Sequence, residues 1–95
     1  MLVIAHHFVN NPDSFWAAAN KVMAESGVPK NLKLHAVFPS KDGKTGTCLW
    51  EADSPVEVQA WLDKTFSQYA NNVTYEVNEA AAMGAPQKTM ASAFA

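Results

Sequence analysis

A predicted β-hairpin near the centre of the chain constrains the fold most strongly. Asp42–Gly43 lies between two strand-like runs, Leu32–Pro39 and Thr45–Ala52. An Asp-Gly pair in this position is typical of a two-residue type I′ turn, because both central residues of that turn need a positive φ. The middle of the chain is therefore predicted to be an antiparallel pair of strands.

The same turn predicts which residues of the hairpin share a face. Residues that lie directly opposite each other in an antiparallel pair point to the same side of the sheet. Counting outward from the turn gives these opposed pairs: Val37 with Cys48, His35 with Trp50, and Leu34 with Glu51.

One helix is predicted before the hairpin and one after it. Asn11 is a suitable N-cap, and Pro12 suits the first helical position. Ser54–Glu57 reads Ser-Pro-Val-Glu, which is a capping box with proline at the first helical position. Two further strand-like runs, Leu2–Val9 and Val73–Val77, complete the order β-α-β-β-α-β.

This order predicts an α+β domain with a ferredoxin-like fold. Both crossovers take the favoured hand only if the two helices lie on one face of a four-stranded antiparallel sheet, in strand order 4-1-3-2. The chain has 95 residues, which is the length of one domain. We assign residues 1–83 to the domain and residues 84–95 to a flexible C-terminal tail.

The strands are apolar on both sides, although two helices can cover only one side. Alternation along the first strand gives two apolar sets: Leu2, Ile4 and Phe8 on one side, and Val3, Ala5 and Val9 on the other. Monomers rarely leave a large apolar patch exposed. The sequence therefore predicts a homodimer in which two sheets pack face to face about a two-fold axis, forming a dimeric α/β barrel.

Charge and cysteine content exclude several classes of protein. The net charge is -2 and no basic run is present, so neither nucleic acid nor an anionic membrane is expected as a partner. Cys48 is the single cysteine, so an intrachain disulfide and a cysteine-based zinc site are excluded. We interpret Cys48 as a small core residue, and we expect a cytoplasmic protein because the N-terminus lacks the pattern of a signal peptide.

Two adjacent histidines are the main candidates for chemistry. His6 and His7 are neighbours on a strand and so point to opposite faces. One of them, with His7 as the first choice, is predicted to lie beside Glu51 of the adjacent strand, as a general base or as half of a metal site. A ligand pocket beside this pair would draw its remaining lining from these residues: His6, His35 at the sheet edge, Trp50 and Tyr75.

Two segments carry a resemblance to a known family. Thr47–Pro55, followed by an amphipathic helix, resembles the C-L-Y/W-E-A-x-S/D segment of a family of short ferredoxin-like proteins of mostly unknown function. His7–Pro12, together with Phe15 and Trp16, is similar to the first strand and helix entry of that family. The resemblance implies a dimeric barrel with a ligand or metal site near the strand-1 histidine and Glu51. The family includes a nickel-binding bacterial protein, which makes nickel the implied divalent metal.

Two functions from different classes follow. In the first, the dimer binds a divalent metal such as nickel, or a small organic ligand, within the barrel. In the second, the chain is a cofactor-independent enzyme, of a monooxygenase or isomerase kind, that uses a His/Glu pair in an apolar pocket. A dimeric scaffold without a small-molecule site is the third alternative.

Overall fold

The chain folds in the predicted order of elements. A computed structural model describes residues 1–25 and 27–86, so residues 87–95 of the predicted tail lie outside the described residues. The elements are β1 (Leu2–Val9), α1 (Pro12–Ala24), β2 (Lys33–Pro39), β3 (Thr45–Glu51), α2 (Pro55–Phe66) and β4 (Ala70–Glu76). All neighbouring strands are antiparallel, and their order β2-β3-β1-β4 is the predicted 4-1-3-2 read from the other edge. The fold is therefore ferredoxin-like.

Both helices begin at the predicted caps. The side chain of Asn11 accepts a hydrogen bond from the backbone N–H of Ser14, and the hydroxyl of Ser54 accepts one from the backbone N–H of Glu57. These bonds satisfy backbone donors that the first helical turn leaves without a partner. Within residues 1–25 and 27–86, neither helix combines the length and the apolar character needed to cross a membrane.

The core lies between the sheet and the two helices. The alternate residues of β1 and β3 that point to the helices are buried, among them Val3, Ala5 and Trp50. Val58 and Leu62 of α2 pack against them and are almost completely inaccessible. The backbone of α2 lies close to β4 and β1, whereas the backbone of α1 stays farther from the sheet. That difference leaves space between α1 and the strands.

The turn of the central hairpin is longer than predicted. The N–H of Gly43 donates to the carbonyl of Ser40, and the N–H of Ser40 donates to the carbonyl of Thr45. The loop therefore spans four residues instead of the two of a type I′ turn, and Gly43 alone supplies the positive φ, at 73°. The longer loop leaves the predicted strand register next to the turn unchanged, and the pairing of Val37 with Cys48 is confirmed.

A β-bulge at His35 changes the pairing farther from the turn. Leu34 pairs with Trp50 and Ala36 pairs with Leu49, so His35 is an extra residue in β2. The predicted pairing of His35 with Trp50, and of Leu34 with Glu51, is therefore wrong. The extra residue re-aims its side chain, as bulges commonly do, and His35 is hydrogen-bonded to Glu51.

Strand β4 begins three residues earlier than the predicted Val73. Asn71 and Asn72 precede the predicted strand, yet they pair with Phe8 and His7 of β1. Asparagine is rare in strands, but pairing and packing against a neighbouring strand override that preference. The extension places the Asn72 side chain on the helix-covered side of the sheet, beside His7.

The sheet side away from the helices is only partly covered within one chain. Residues 77–86 lie beside one end of this side, where Leu2 is buried. The rest of it carries exposed large side chains, with Phe8 at 52% and Phe38 at 65% of their full accessibility. We call this surface the open face and define it by these residues: Ile4, His6, Phe8, Phe38, Thr47, Leu49, Val73 and Tyr75.

Trp16 of α1 contacts the central hairpin through a hydrogen bond and through packing of its ring. Its indole Nε1–H donates to the carbonyl of Gly43 at 2.8 Å. The far end of the same ring lies over Gly46, where a Cβ would stand 2.9 Å from Trp16 Cη2. Glycine is therefore required at position 46 by the close approach of the ring.

We predict that Gly46→Ala destabilises the protein through this contact. The added methyl group must displace the indole, and overpacking of this kind costs about 1–3 kcal/mol in the free energy of unfolding. Urea denaturation measures the loss. In a Trp16→Phe background the atom that clashes is absent, so the same substitution should cost clearly less. An equal loss in both backgrounds would contradict the contact.

Candidate functional site

The two adjacent histidines lie on opposite sides of the sheet. His7 faces the helices and is 2% exposed. His6 lies on the open face, where its Nδ1 is 3.0 Å from the hydroxyl of Thr47. The strand alternation predicted this division, and the structure shows which histidine takes which side.

His7 is held between two side chains from the strands on either side of it. Its Nδ1 is 2.6 Å from Oδ1 of Asn72 on β4, and its Nε2 is 3.0 Å from Sγ of Cys48 on β3. The ring also packs against Phe15 of α1, with 5.4 Å between centroids. Both ring nitrogens therefore have partners although the residue is buried.

The protonation states of His7 and Cys48 determine which group donates and which accepts in these two hydrogen bonds. Burial lowers the pKa of His7, an effect that the hydrogen bond to Asn72 partly opposes and the neighbouring His6 slightly reinforces. Burial also raises the pKa of the Cys48 thiol to about 12. Near neutral pH the imidazole is uncharged and the thiol is protonated. The chain of hydrogen bonds is then Cys48 S–H to Nε2 of His7, and Nδ1–H of His7 to Oδ1 of Asn72.

A small cavity adjoins this cluster on the helix side of the sheet. Its volume is about 50 Å³, and its wall includes His7, Phe15, Cys48, Trp50 and residues of α1 and α2. Met23 of α1 and Val37 of β2 also line it, and both are nearly half exposed. The cavity therefore reaches the surface between α1 and β2, where the helix stands away from the sheet. We call it the helix-side cavity.

One hydrogen-bond donor in the wall of the helix-side cavity has no partner. Trp50 is 2% exposed, and its indole Nε1 is bonded to nothing in the described part of the chain. The ring is held edge-on against Trp61 of α2, with centroids 5.6 Å apart. Leaving a buried N–H without an acceptor costs about 1–3 kcal/mol. A ligand with an acceptor atom would remove that cost.

The predicted site residues are divided between two places. His7 and Trp50 line the helix-side cavity. The other four lie on the opposite side of the sheet: His6, His35, Glu51 and Tyr75. The structure does not bring His7 and Glu51 together within one chain, because the odd-numbered residues of β1 face the helices while Glu51 lies opposite Leu2 on the other side.

The histidine that meets Glu51 comes from the sheet edge. His35 Nε2 lies 3.0 Å from Oε1 of Glu51, and both side chains are largely buried. His6 and Tyr75 form a tilted ring pair with centroids 6.0 Å apart. In residues 1–25 and 27–86, no three side chains of His, Cys, Asp or Glu come together as a metal site would require. The histidine beside Glu51 is therefore His35 of β2 and not the predicted strand-1 histidine, His7.

Asn72 is the functional candidate that the sequence analysis missed. The run Ala70–Asn72 has the composition of a turn, which gives no local signal for a site residue. The sequence feature that points to Asn72 is His7 itself. A histidine on the covered side of a central strand needs a partner, and the adjacent edge strand is the place to look for it.

Comparison of the chain with models of protein families, with curated protein sequences and with solved structures found no match.

We predict that His7 makes the stability depend on pH in a specific window. Its folded-state pKa is below the ordinary 6.5, so the unfolded chain binds the proton more readily. The contribution is complete above about pH 6.5 and is lost as the pH falls towards the lowered pKa, at up to about 1.4 kcal/mol per pH unit. Urea denaturation at a series of pH values from 5 to 8 measures the slope.

Two variants test whether the pH dependence of stability comes from His7. His7→Gln should reduce it, because the buried titrating ring is gone. His6→Gln should change it only slightly, because His6 lies on the other side of the sheet and is the smallest of the causes that set the pKa of His7. An unchanged slope in His7→Gln would contradict the neutral, buried state of the imidazole.

Proposed function

We propose that the protein binds a small, uncharged and mainly apolar molecule in the helix-side cavity. The observation that carries the proposal is the buried indole N–H of Trp50, which has no acceptor among the described residues and belongs to a cavity wall that is otherwise almost entirely apolar. Apolar pockets with a few well-placed polar groups are the usual form of small-molecule sites. The ligand would place a carbonyl or similar acceptor oxygen against this N–H.

The size of the cavity limits the ligand. At about 50 Å³ it is well below the roughly 150 Å³ of a protein cavity that holds benzene. It is also below the roughly 300–1,000 Å³ of pockets for larger ligands. These comparisons favour a molecule smaller than an aromatic ring, with any longer portion extending through the mouth between Met23 and Val37.

The charges around the cavity support a neutral ligand. Of the described residues that line it, none is Asp, Glu, Lys or Arg. His7 is uncharged near neutral pH because burial lowers its pKa. An ion placed here would lose its hydration without gaining a countercharge, which is strongly unfavourable. This reasoning favours the small-organic-ligand form of the binding function over the divalent metal, possibly nickel, that the family resemblance implies.

We further propose that two copies of the chain pair through the open face. A four-stranded sheet with strands of this length measures about 19 by 24 Å, or roughly 450 Å², which is somewhat more than half of the area that each partner buries in a standard interface. Phe8, Phe38, Val73 and Tyr75 remain between 47% and 65% exposed there. Since the face contains few charged groups, a two-fold axis would bring apolar side chains against their equivalents.

We predict that acetone, a neutral ketone of suitable size, binds in the helix-side cavity. Titration should move the proton–nitrogen NMR signal of the Trp50 indole N–H in a saturable way, because a carbonyl oxygen becomes its acceptor. The indole N–H of Trp16 should stay in place, since it is already bonded to Gly43.

The control for this titration uses two alanines of the same helix. Ala19 lines the cavity and Ala17 is exposed to solvent. Ala19→Leu should abolish the shift of the Trp50 signal, and Ala17→Leu should preserve it. A Trp50 signal that does not respond in the unmodified protein, or one that responds equally in both variants, would eliminate the proposed binding site.

We predict that the protein has twice the 10.3 kDa mass of one chain in solution. Light scattering coupled to size exclusion measures it. Val73→Lys should produce monomers, because it places a charge in the open face. Val56→Lys is the matched control, since Val56 is also exposed but belongs to α2. A monomeric wild-type chain, or dissociation by Val56→Lys alone, would refute pairing through this face.

A further inference from the structure

Cys48, His7 and Asn72 form an aligned series of three side chains. The thiol and Nε2 of His7 are 3.0 Å apart, and Nδ1 of His7 and Oδ1 of Asn72 are 2.6 Å apart. A nucleophile, a base in contact with it and a third group that orients the base are the parts of a nucleophilic relay. The same three residue types recur as Cys-His-Asn in cysteine proteases on unrelated folds.

The series meets the helix-side cavity, and a second observation points to a ligand there. Both His7 and Cys48 line the cavity, so a bound molecule can reach the sulfur. Trp50 lies two residues beyond Cys48 on β3 and faces the same side. Its buried indole N–H has no acceptor within residues 1–25 and 27–86. Cys48 and Trp50 therefore line the same cavity.

The volume of the cavity selects the class of substrate. At about 50 Å³ the cavity cannot admit a peptide bond together with its flanking residues, which excludes a protease. The electrophile has to be small and uncharged, and it has to carry an acceptor oxygen for Trp50. A short α,β-unsaturated carbonyl compound meets all three requirements.

We propose that Cys48, assisted by His7, adds to a small α,β-unsaturated carbonyl compound held in the helix-side cavity. The proposal rests on the ligand site of the proposed function. The thiol proton passes to Nε2 of His7 while the sulfur forms a bond to the β-carbon. The π electrons of the C=C bond move towards the carbonyl oxygen, which accepts the N–H of Trp50. The proton then passes from His7 to the α-carbon, so the net result is addition of S–H across C=C.

The apolar surroundings determine the timing of the proton transfer. A separated thiolate and imidazolium would be costly to hold in a cavity without further charges. The resting pair therefore stays neutral, and the proton moves only as the S–C bond forms. Asn72 acts as a positioning residue, because its Oδ1 keeps the proton on Nδ1 and leaves the lone pair of Nε2 directed at the thiol.

The test is the pH dependence of acrolein addition to Cys48, followed by intact mass and peptide mapping. With His7 as the base, the rate should change less than about threefold between pH 7 and 9, because the imidazole is already neutral. An unassisted thiol with a pKa of about 12 would instead react about tenfold faster per pH unit. That steep rise, or no adduct on Cys48, would overturn the proposal.

Two variants separate a catalytic role from a structural one. His7→Gln should slow addition at pH 7 by about 100-fold or more and should restore the steep pH dependence. Asn72→Ala should slow it less and should also steepen the profile, which a loss of stability alone would not do. His6→Gln on the open face should change neither the rate nor the profile. If His7→Gln fails to fold, the wild-type profile still decides.

Separate measurements test the reactive cysteine and the ligand site. Acetone cannot undergo this addition, so its effect on the Trp50 indole signal reports binding alone. A response to acetone without an acrolein adduct would leave the ligand site standing and remove the reactive cysteine. An adduct that forms equally fast in Ala19→Leu would show reaction outside the cavity and would overturn the proposal.

Discussion

The structure depends on one constraint, which is that a single sheet has two sides and only one of them has helices. Side chains alternate along β1, so His6 and His7 cannot share a site. His7 goes under the helices with Val3 and Ala5, and His6 goes to the open face. Every candidate for function follows from this division. The helix side contains the cavity and its neutral polar cluster, and the other side contains exposed apolar groups suited to a second copy of the chain.

A buried polar cluster in so small a domain needs a physical account. Cys48, His7 and Asn72 are hydrogen-bonded in series, and hydrogen bonds in a region of low dielectric are stronger than they would be in water. The network is only partly satisfied, because the buried Nδ2 of Asn72 has no partner among the described residues. Replacing all three by apolar residues of similar shape could be neutral for stability or could improve it. The cluster therefore has no evident advantage for folding alone. Its position beside a cavity, and near an indole N–H that has no partner in the described part of the chain, fits a role in binding or chemistry better than a role in packing.

The features of the fold that are local in sequence were predictable. Asn11 and Ser54 cap the helices because short polar side chains satisfy the first backbone N–H groups, and both caps are present. The features that depend on contacts between distant segments were not. The bulge at His35 places Leu34 opposite Trp50 and Lys33 opposite Glu51, and nothing in the local pattern signals it. Asn72 resembles a turn residue, yet pairing with β1 draws it into β4. Of the predicted site residues, His7 and Trp50 therefore line the helix-side cavity and Glu51 does not. Asn72 and Cys48, which were not predicted as site residues, are hydrogen-bonded to His7.

The account rests on a neutral His7 whose proton lies on the nitrogen that faces Asn72. Nitrogen-15 NMR of the histidine rings at neutral pH measures this state directly, because protonated and unprotonated ring nitrogens have well-separated chemical shifts. The account predicts a protonated Nδ1 and an unprotonated Nε2 for His7, with the free Nε2 directed at the Cys48 thiol. A doubly protonated ring, or a proton on Nε2 with Nδ1 free, would contradict it.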